Sequence, residues 1–435
     1  GQLTNGTNAL NLDKWGAGIL TLTGGTHNYT GSTTISGGTL ALFGAGALPD
    51  TTAVNVSSAA GTFDISAITA TSETIRTLAG ATASSVVIGA KNLAIGDDFG
   101  TVNVLTAAVA SPTITVDSVP SYLTVGTQLM GRTVNAIVGT TITLSGNANV
   151  VISTSTPRAV YADTGDTAFA GVISGVGGSI SKDGDAQLTL SGANTYTGQT
   201  TIDRGIILVT HGSGLGSTAG GTRINYNGNT SGGRLDISGG VGSITIDENI
   251  TLAGERFGDN YSSGFRATGG TVNLTNALIV EGDTSSEFRL GTANSGTVLN
   301  FQSGVTRNGT SGTNTGLMLF SAAAGSTINF NGAIDNNGNT VEFTDGGTNV
   351  LNAASTDVGQ MQIDYNGVVK LGVNNAFPAT SQLRIGLNTG SGATDNSAVT
   401  GTLDMAGYNL SVARIEGSNA AATTATTAKI GRASC

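Results

Sequence analysis

The sequence predicts an all-β chain, a right-handed parallel β-helix (β-solenoid) with one small inserted β module. Three observations lead there: a long phrase is written twice, short runs alternate apolar and polar residues, and the composition is rich in glycine and poor in charge. The phrase is KWGAGILTLTGGTHNYTGSTTISGGTLAL, Lys14 to Leu42, which returns as KDGDAQLTLSGANTYTGQTTIDRGIILV, Lys182 to Val209. A catalytic site is normally written once, whereas a structural unit recurs.

The composition carries the same message. Hydrophobic residues make up 38%, enough to build a core, but charged residues are only 11%, well below the roughly 25% of an ordinary soluble domain. Thr, Val and Ile suit a pleated surface because their branched side chains restrict χ1. The 67 glycines, and the Asn-Gly steps at Asn5, Asn227, Asn308, Asn331, Asn337 and Asn366, suit tight turns. No stretch of helical length shows a 3.6-residue apolar period.

In the two phrases, Leu20 and Leu22 match Leu188 and Leu190, Tyr29-Thr30-Gly31 matches Tyr196-Thr197-Gly198, and Ile35 matches Ile202. The first copy has one extra residue in the turn between Gly24 and Asn28, where a strand-and-turn scaffold tolerates it. Downstream, Gly61-Thr62-Phe63-Asp64-Ile65-Ser66 returns as Gly233-Arg234-Leu235-Asp236-Ile237-Ser238 and again as Gly401-Thr402-Leu403-Asp404-Met405-Ala406. The chain thus reads as three long units, each divided into short alternating runs such as Leu188-Thr189-Leu190, Thr271 to Leu274, Thr297 to Phe301 and Thr327 to Phe330. Such runs are too short to form private cores. Stacked in a coil they share one. Residues 106–160 break the pattern with Pro112, Pro120 and Pro157, and read as a compact β insertion. The expected organisation is solenoid over 1–105, inserted module over 106–160, and solenoid over 161–435.

The second phrase, from Gly171 through Val209, resembles the autotransporter-associated β-strand repeat of bacterial surface proteins. The resemblance rests on Leu188 and Leu190, on Ser191-Gly192-Ala193-Asn194 with Tyr196 and Gly198, and on Ile202. Asp185-Ala186 and Arg204 depart from the family pattern of small residues there. The first copy fits from Lys14 to Leu42, and Gly401 to Gly417 resembles the part that follows such repeats. The resemblance implies a β-helix within a long exported protein, located at the bacterial cell surface after crossing the outer membrane. It implies a stiff stalk, adhesin or fibre-forming scaffold that self-associates or binds other surface proteins or glycans. The alternative is a polysaccharide-binding or polysaccharide-degrading β-helix.

The net charge is −10 and no basic run could neutralise a phosphate backbone, so nucleic acid is not an expected partner. No apolar stretch approaches the roughly 20 residues of a membrane helix. Starting at Gly1 and ending on a lone cysteine, Cys435, the chain reads as a segment of a longer polypeptide.

No catalytic, cofactor or metal site is expected, and no enzyme activity. Candidate acids are Asp97-Asp98, Asp183 with Asp185, and Asp247-Glu248. Asp183-Gly184-Asp185 could cradle calcium, but its sister turn is Trp15-Gly16-Ala17, so it reads as a plain turn. Asp64, Asp236 and Asp404 lie between apolar neighbours and should face outward, solvated or capping turns. His27 and His211 occupy different repeat positions and read as surface-loop residues without metal-ligand spacing. Trp15 is either a sugar platform or a cover for the hydrophobic column, and the second is expected. Tyr29 and Tyr196 share a repeat position and should fill a structural niche. The Asn-x-Thr sequences at Asn28, Asn249 and Asn273 arise by chance in so Asn- and Thr-rich a chain.

Overall fold

The computed structural model describes all residues except 26, 97–99, 109–110, 121–122, 124, 130–131, 149–151, 155–157, 164, 228–231, 256–263, 283–286, 310–315, 387–399, 417–427 and 431–435. Among the described residues every regular element is a strand, most of them three to six residues long. The chain is a parallel β-solenoid. It divides into two compact units, the first on Gly1–Gly221 with two short later pieces, the second on Thr222–Asn229, Arg234–Phe257 and Tyr261–Cys435.

In the first unit, strands recur in three parallel ladders, one per face of the coil. One ladder includes Thr33–Ile35, Ala53–Val56, Thr77–Gly80, Thr167–Phe169, Gln187–Leu190 and Gly205–Val209. A second runs from Ile19–Leu22 through Gly38–Gly44, Gly61–Ile68 and Ser85–Val87 to Val172–Ser174. The third joins Ser72–Ile75, Asn92–Ile95, Ser179–Lys182 and Thr200–Ile202. Because register is kept, inward residues stack in columns. Leu40, Phe63, Val86 and Ile173 form one, each fully buried. Burying each such side chain contributes about 1.5–3 kcal/mol.

The interruption is a closed antiparallel barrel of six strands, Gly100–Thr106, Thr113–Val116, Thr141–Leu144, Arg132–Val138, Gln128–Leu129 and Arg158–Asp163 in order around it. Its strands begin at Gly100 and end at Asp163, on either side of the expected 106–160. It has a core of its own, with Val102, Val104, Ile114, Val134, Ile142 and Leu144 buried together. Asn92–Ile95 and Ser179–Lys182 flank it in sequence and pair directly, so the ladder continues as if the barrel were absent.

In the second unit, Phe265–Leu274 turns a corner of the coil. Its first half pairs with Glu287–Thr292 and its second half with Val298–Phe301. Like residues then stack on like, as they do when strands pair in parallel register. Phe301 and Phe330 stack at 5.4 Å on one face, Phe320 and Phe343 at 5.6 Å on another, and the two stacks meet edge-on where Phe320 approaches Phe330 at 4.7 Å. Outside, Asn300 donates to Asn273 and Asn329 to Asn300, each at 2.7 Å, forming a side-chain ladder parallel to the backbone ladder.

Phe320 touches Phe301, Phe330 and Phe343, so Phe320→Ala opens a cavity at the crossing of both stacks. The expected loss is about 3–5 kcal/mol in urea unfolding. Val241→Ala, at a fully exposed position, should change stability by less than about 0.5 kcal/mol.

Candidate functional site

The repeated phrase builds the same corner twice. Lys14 and Lys182 end the strands Leu12–Lys14 and Ser179–Lys182 at an inward position and are 6% and 3% exposed. Lys14 Nζ donates to the carbonyls of Gly16 at 2.7 Å and Gly37 at 2.8 Å. Lys182 Nζ donates to those of Asp183 at 2.9 Å and Gly184 at 2.5 Å. A buried ammonium is tolerated when its donors are satisfied, and here turn carbonyls satisfy it. The matching glycines Gly38 and Gly205 have φ of 63° and 71°. A Cβ on Gly38 would lie 2.3 Å from the Gly18 carbonyl oxygen, and one on Gly205 2.0 Å from that of Gly184, so only glycine fits.

The Asp183-Gly184-Asp185 turn lies between two cationic side chains. Its carbonyls face Lys182, and its carboxylates face Arg204, with Asp183 at 3.0 Å and Asp185 at 3.6 Å from the guanidinium. In the first copy the corresponding residues are Trp15, Ala17 and Gly37, so the departures from the family pattern at Asp185 and Arg204 are two halves of one ion pair. Among the described residues no three His, Cys, Asp or Glu side chains are grouped to hold a metal ion.

Tyr29 and Tyr196 are fully buried, and each shares a 2.5 Å hydrogen bond with the threonine four residues on, Thr33 or Thr200. A second recurring element is less visible. Glu73-Thr74-Ile75-Arg76-Thr77-Leu78-Ala79-Gly80 returns one residue shorter as Glu248-Asn249-Ile250-Thr251-Leu252-Ala253-Gly254. Both glutamates are interior: Glu73 accepts from the Leu48 N–H at 2.7 Å and Glu248 from the Thr222 hydroxyl at 2.9 Å. Burial pushes the Glu73 carboxyl up to about 7 and that of Glu248 up to about 8. Glu248 is therefore an interior acid, where the sequence offers it as a candidate for chemistry. The shared Thr-Leu-Ala-Gly tail is the signal that pairs it with Glu73.

Other expectations are corrected. His27 is not a surface residue: it is 2% exposed, and its Nδ1 accepts from the Leu3 N–H at 2.8 Å. Burial lowers its pKa. It stands where the second copy has Asn194, whose Oδ1 accepts from the Ile173 N–H at 2.8 Å and whose Nδ2 donates to the Gly214 carbonyl at 2.6 Å. The imidazole reproduces the first of these bridges, and its Nε2 has no hydrogen-bond partner among the described residues. His211 is an exposed loop residue, its Nδ1 accepting from the Ser213 N–H. Trp15 covers no column and is 80% exposed, pointing outward like Asp183 in the sister turn.

Each of the recurring aspartates is held by partners of its own. Asp64 and Asp404 cap turns, accepting from the N–H of Ser66 and of Ala406, both at 2.9 Å. Asp236 is only 3% exposed, because Arg234 at 3.0 Å and Arg266 at 2.8 Å close over it. Asp247 accepts from the Thr275 hydroxyl at 2.8 Å. Asn249 and Asn273 lie within the hydrogen-bonded coil, Asn249 accepting through its carbonyl from Thr222 and Asn273 through its side chain from Asn300. Asp97, Asp98 and Cys435 lie outside the described residues.

Residues 12–42 and 180–209 match the family model described as passenger-associated-transport-repeat. Both segments carry the autotransporter passenger repeat. They are the two segments in which the buried lysine, the buried tyrosine and the positive-φ glycine recur. A stretch of 130 residues is 32% identical to the adhesin BmaC autotransporter of Brucella suis biovar 1 (strain 1330), and it spans 28% of this chain and 4% of that adhesin. Among solved structures, the tailspike protein gp49 from Pseudomonas phage LKA1 matches at a TM-score of 0.26 and 10% identity, over 95% of this chain and 72% of that one. A score that low carries no functional inference.

The interior glutamates have a consequence for pH. Their folded pKa values lie above the ordinary 4.5, so the folded state holds protons that the unfolded state has released. Stability is thus greatest below about 4.5 as far as these groups are concerned, and falls as pH rises through about 7 to 8. Urea unfolding should show a lower midpoint at pH 9 than at pH 5, and Glu248→Gln, which keeps the acceptor for Thr222 without the charge, should flatten that slope.

Proposed function

We propose that the chain is an extracellular, non-enzymatic segment of a large exported bacterial surface protein, acting as a stiff scaffold that presents adhesive surface. The observation that carries this reading is which residues the two repeats keep. Lys14 and Lys182, Tyr29 and Tyr196, Thr33 and Thr200, and Glu73 and Glu248 are all interior. The turn residues that differ, Trp15 and Ala17 against Asp183 and Asp185, sit around the corner on its outer side. A unit that keeps most of its interior polar groups while its outer turn residues vary encodes a shape.

Stiffness follows from backbone pairing at every turn, since bending such a coil stretches hydrogen bonds on several strands together. The passenger-type repeat supports export, and the similarity to a protein named as an adhesin supports a role in contact with other surfaces. The partners on this reading are glycans, other surface proteins or further copies of the chain.

Fusing the chain to an outer-membrane barrel translocator in a Gram-negative host tests the reading. Intact cells should display it at the surface as a folded, protease-resistant species. Retention in the periplasm, or display as a chain that protease degrades to small peptides, would contradict it.

A further inference from the structure

The sequence carries six Asn-Gly steps, at Asn5, Asn227, Asn308, Asn331, Asn337 and Asn366. Glycine after asparagine leaves the side-chain amide open to attack by the next backbone nitrogen, because no side chain hinders the approach. Five of these steps lie wholly within the described residues; Gly228, which follows Asn227, does not. As sequence the five are equivalent. In the fold they are not, because attack requires the asparagine amide to swing round and the glycine nitrogen to leave any acceptor it serves.

Four of the five are held. Asn5 Oδ1 accepts from the N–H groups of Leu10 and Thr30, both at 3.0 Å, and its Nδ2 donates to the Thr30 hydroxyl at 2.9 Å. Asn331 Nδ2 donates to Gln302 at 3.0 Å, its Oδ1 accepts from Asn352 at 2.8 Å, and the Gly332 N–H donates to the Phe301 carbonyl at 3.2 Å. Asn337 Nδ2 donates to the Gly309 carbonyl at 2.8 Å, and the Gly338 N–H to that of Asp357 at 3.2 Å. Asn366 Oδ1 accepts from the Thr400 hydroxyl, and the Gly367 N–H donates to the Asp364 carbonyl at 2.8 Å.

Asn308 is the exception. It ends the strand Val305–Asn308 in an exposed position, on the outer side of the coil, next to the buried Arg307. Among the described residues its amide makes no hydrogen bond, and neither does the Gly309 N–H. The second point contrasts with neighbouring strands of the coil. There the residue after a strand donates to the strand one turn back, as Thr275 does to Ile246 at 3.2 Å, Gln302 to Leu274 at 2.9 Å and Asn331 to Phe301 at 2.9 Å. At Asn308 both reacting groups are therefore available without breaking a hydrogen bond.

We propose that Asn308 is a site of spontaneous deamidation in the folded protein. The Gly309 nitrogen, after losing its proton to hydroxide, bonds to Asn308 Cγ; the Cγ–Nδ2 bond breaks, and ammonia leaves with a proton taken from water. Water then opens the cyclic imide at either carbonyl and leaves aspartate or isoaspartate. The protein gains one negative charge. Asn308 pairs in register with Glu281, which is matched to Arg223 at 2.7 Å, so the new carboxylate meets a like charge across the ladder. Isoaspartate also adds a backbone carbon before Gly309, whose carbonyl holds Asn337. This one turn of the outer surface changes its charge with age, without an enzyme.

Incubating the whole chain in mildly alkaline buffer, followed by proteolysis and tandem mass spectrometry, tests it. The mass gain of an amide turning to an acid should appear at Asn308 about tenfold or more faster than at Asn5, Asn331, Asn337 or Asn366, since each of those must first give up two or more hydrogen bonds. In urea the same steps should lose ammonia at similar rates, which assigns the difference to the fold. Asn308→Gln, whose longer side chain closes a larger ring slowly, should abolish the fast event, and circular dichroism verifies that this exposed substitution leaves the chain folded. Should that variant not fold, the comparison of native chain with urea decides. Equal or faster loss at any of the other four in the folded chain, a preference for Asn308 that persists in urea, or a fast event that survives Asn308→Gln would overturn the proposal.

Discussion

The in-register pairing of one turn with the next is the constraint on which the rest of the structure depends. Strands of three to six residues bury too little to stand alone, and among the described residues the coil strands pair in parallel, not as hairpins. Each strand instead satisfies its backbone on the turns before and after it. Because partners are parallel and in register, each side chain lies over a counterpart. Stacked phenylalanines inside and an asparagine ladder outside follow from that one rule. So does the tolerance of a whole barrel between two strands that remain paired.

The polar interior follows from the same constraint. A coil with sharp corners leaves backbone groups facing inward where no strand pairs with them. The repeat fills these places with buried polar side chains: lysine onto turn carbonyls, glutamate under an N–H or a hydroxyl, and asparagine or histidine bridging to the adjacent turn. Such groups add little net stability, since the desolvation of each offsets much of its hydrogen bonding. Their effect is to penalise any register that would leave them unpaired. A chain of nearly interchangeable strands needs such markers, because a slip by one strand costs little apolar burial.

Much of this was legible in the sequence. The repeated phrase located both corners, and the alternating runs Thr271 to Leu274 and Thr327 to Phe330 gave strands whose apolar residues face in. Tyr29 and Tyr196 were readable as structural because they recur. What remained hidden lies at corners and in the second layer. The alternation rule correctly turns Asp236 away from the core, but exposure also depends on Arg234 and Arg266, and one of these sits on the next turn. His27 was obscured by the extra residue in its turn, which shifts it from the position of Asn194 in a simple alignment. Trp15 illustrates the opposite error: a large apolar side chain at a turn whose inward place is already taken by Lys14 has nowhere to go but out.

The most direct test is to remove the neighbours. A peptide of residues 180–209 contains a complete second repeat, with Lys182, Tyr196 and Gly205, but lacks the turns that pair with it. With the interior held in common between turns, far-ultraviolet circular dichroism should show it disordered and without a cooperative thermal transition, while the whole chain shows both strand signal and cooperative melting. A strand spectrum with cooperative melting from that peptide alone would mean that each repeat keeps a core of its own, and would contradict the account.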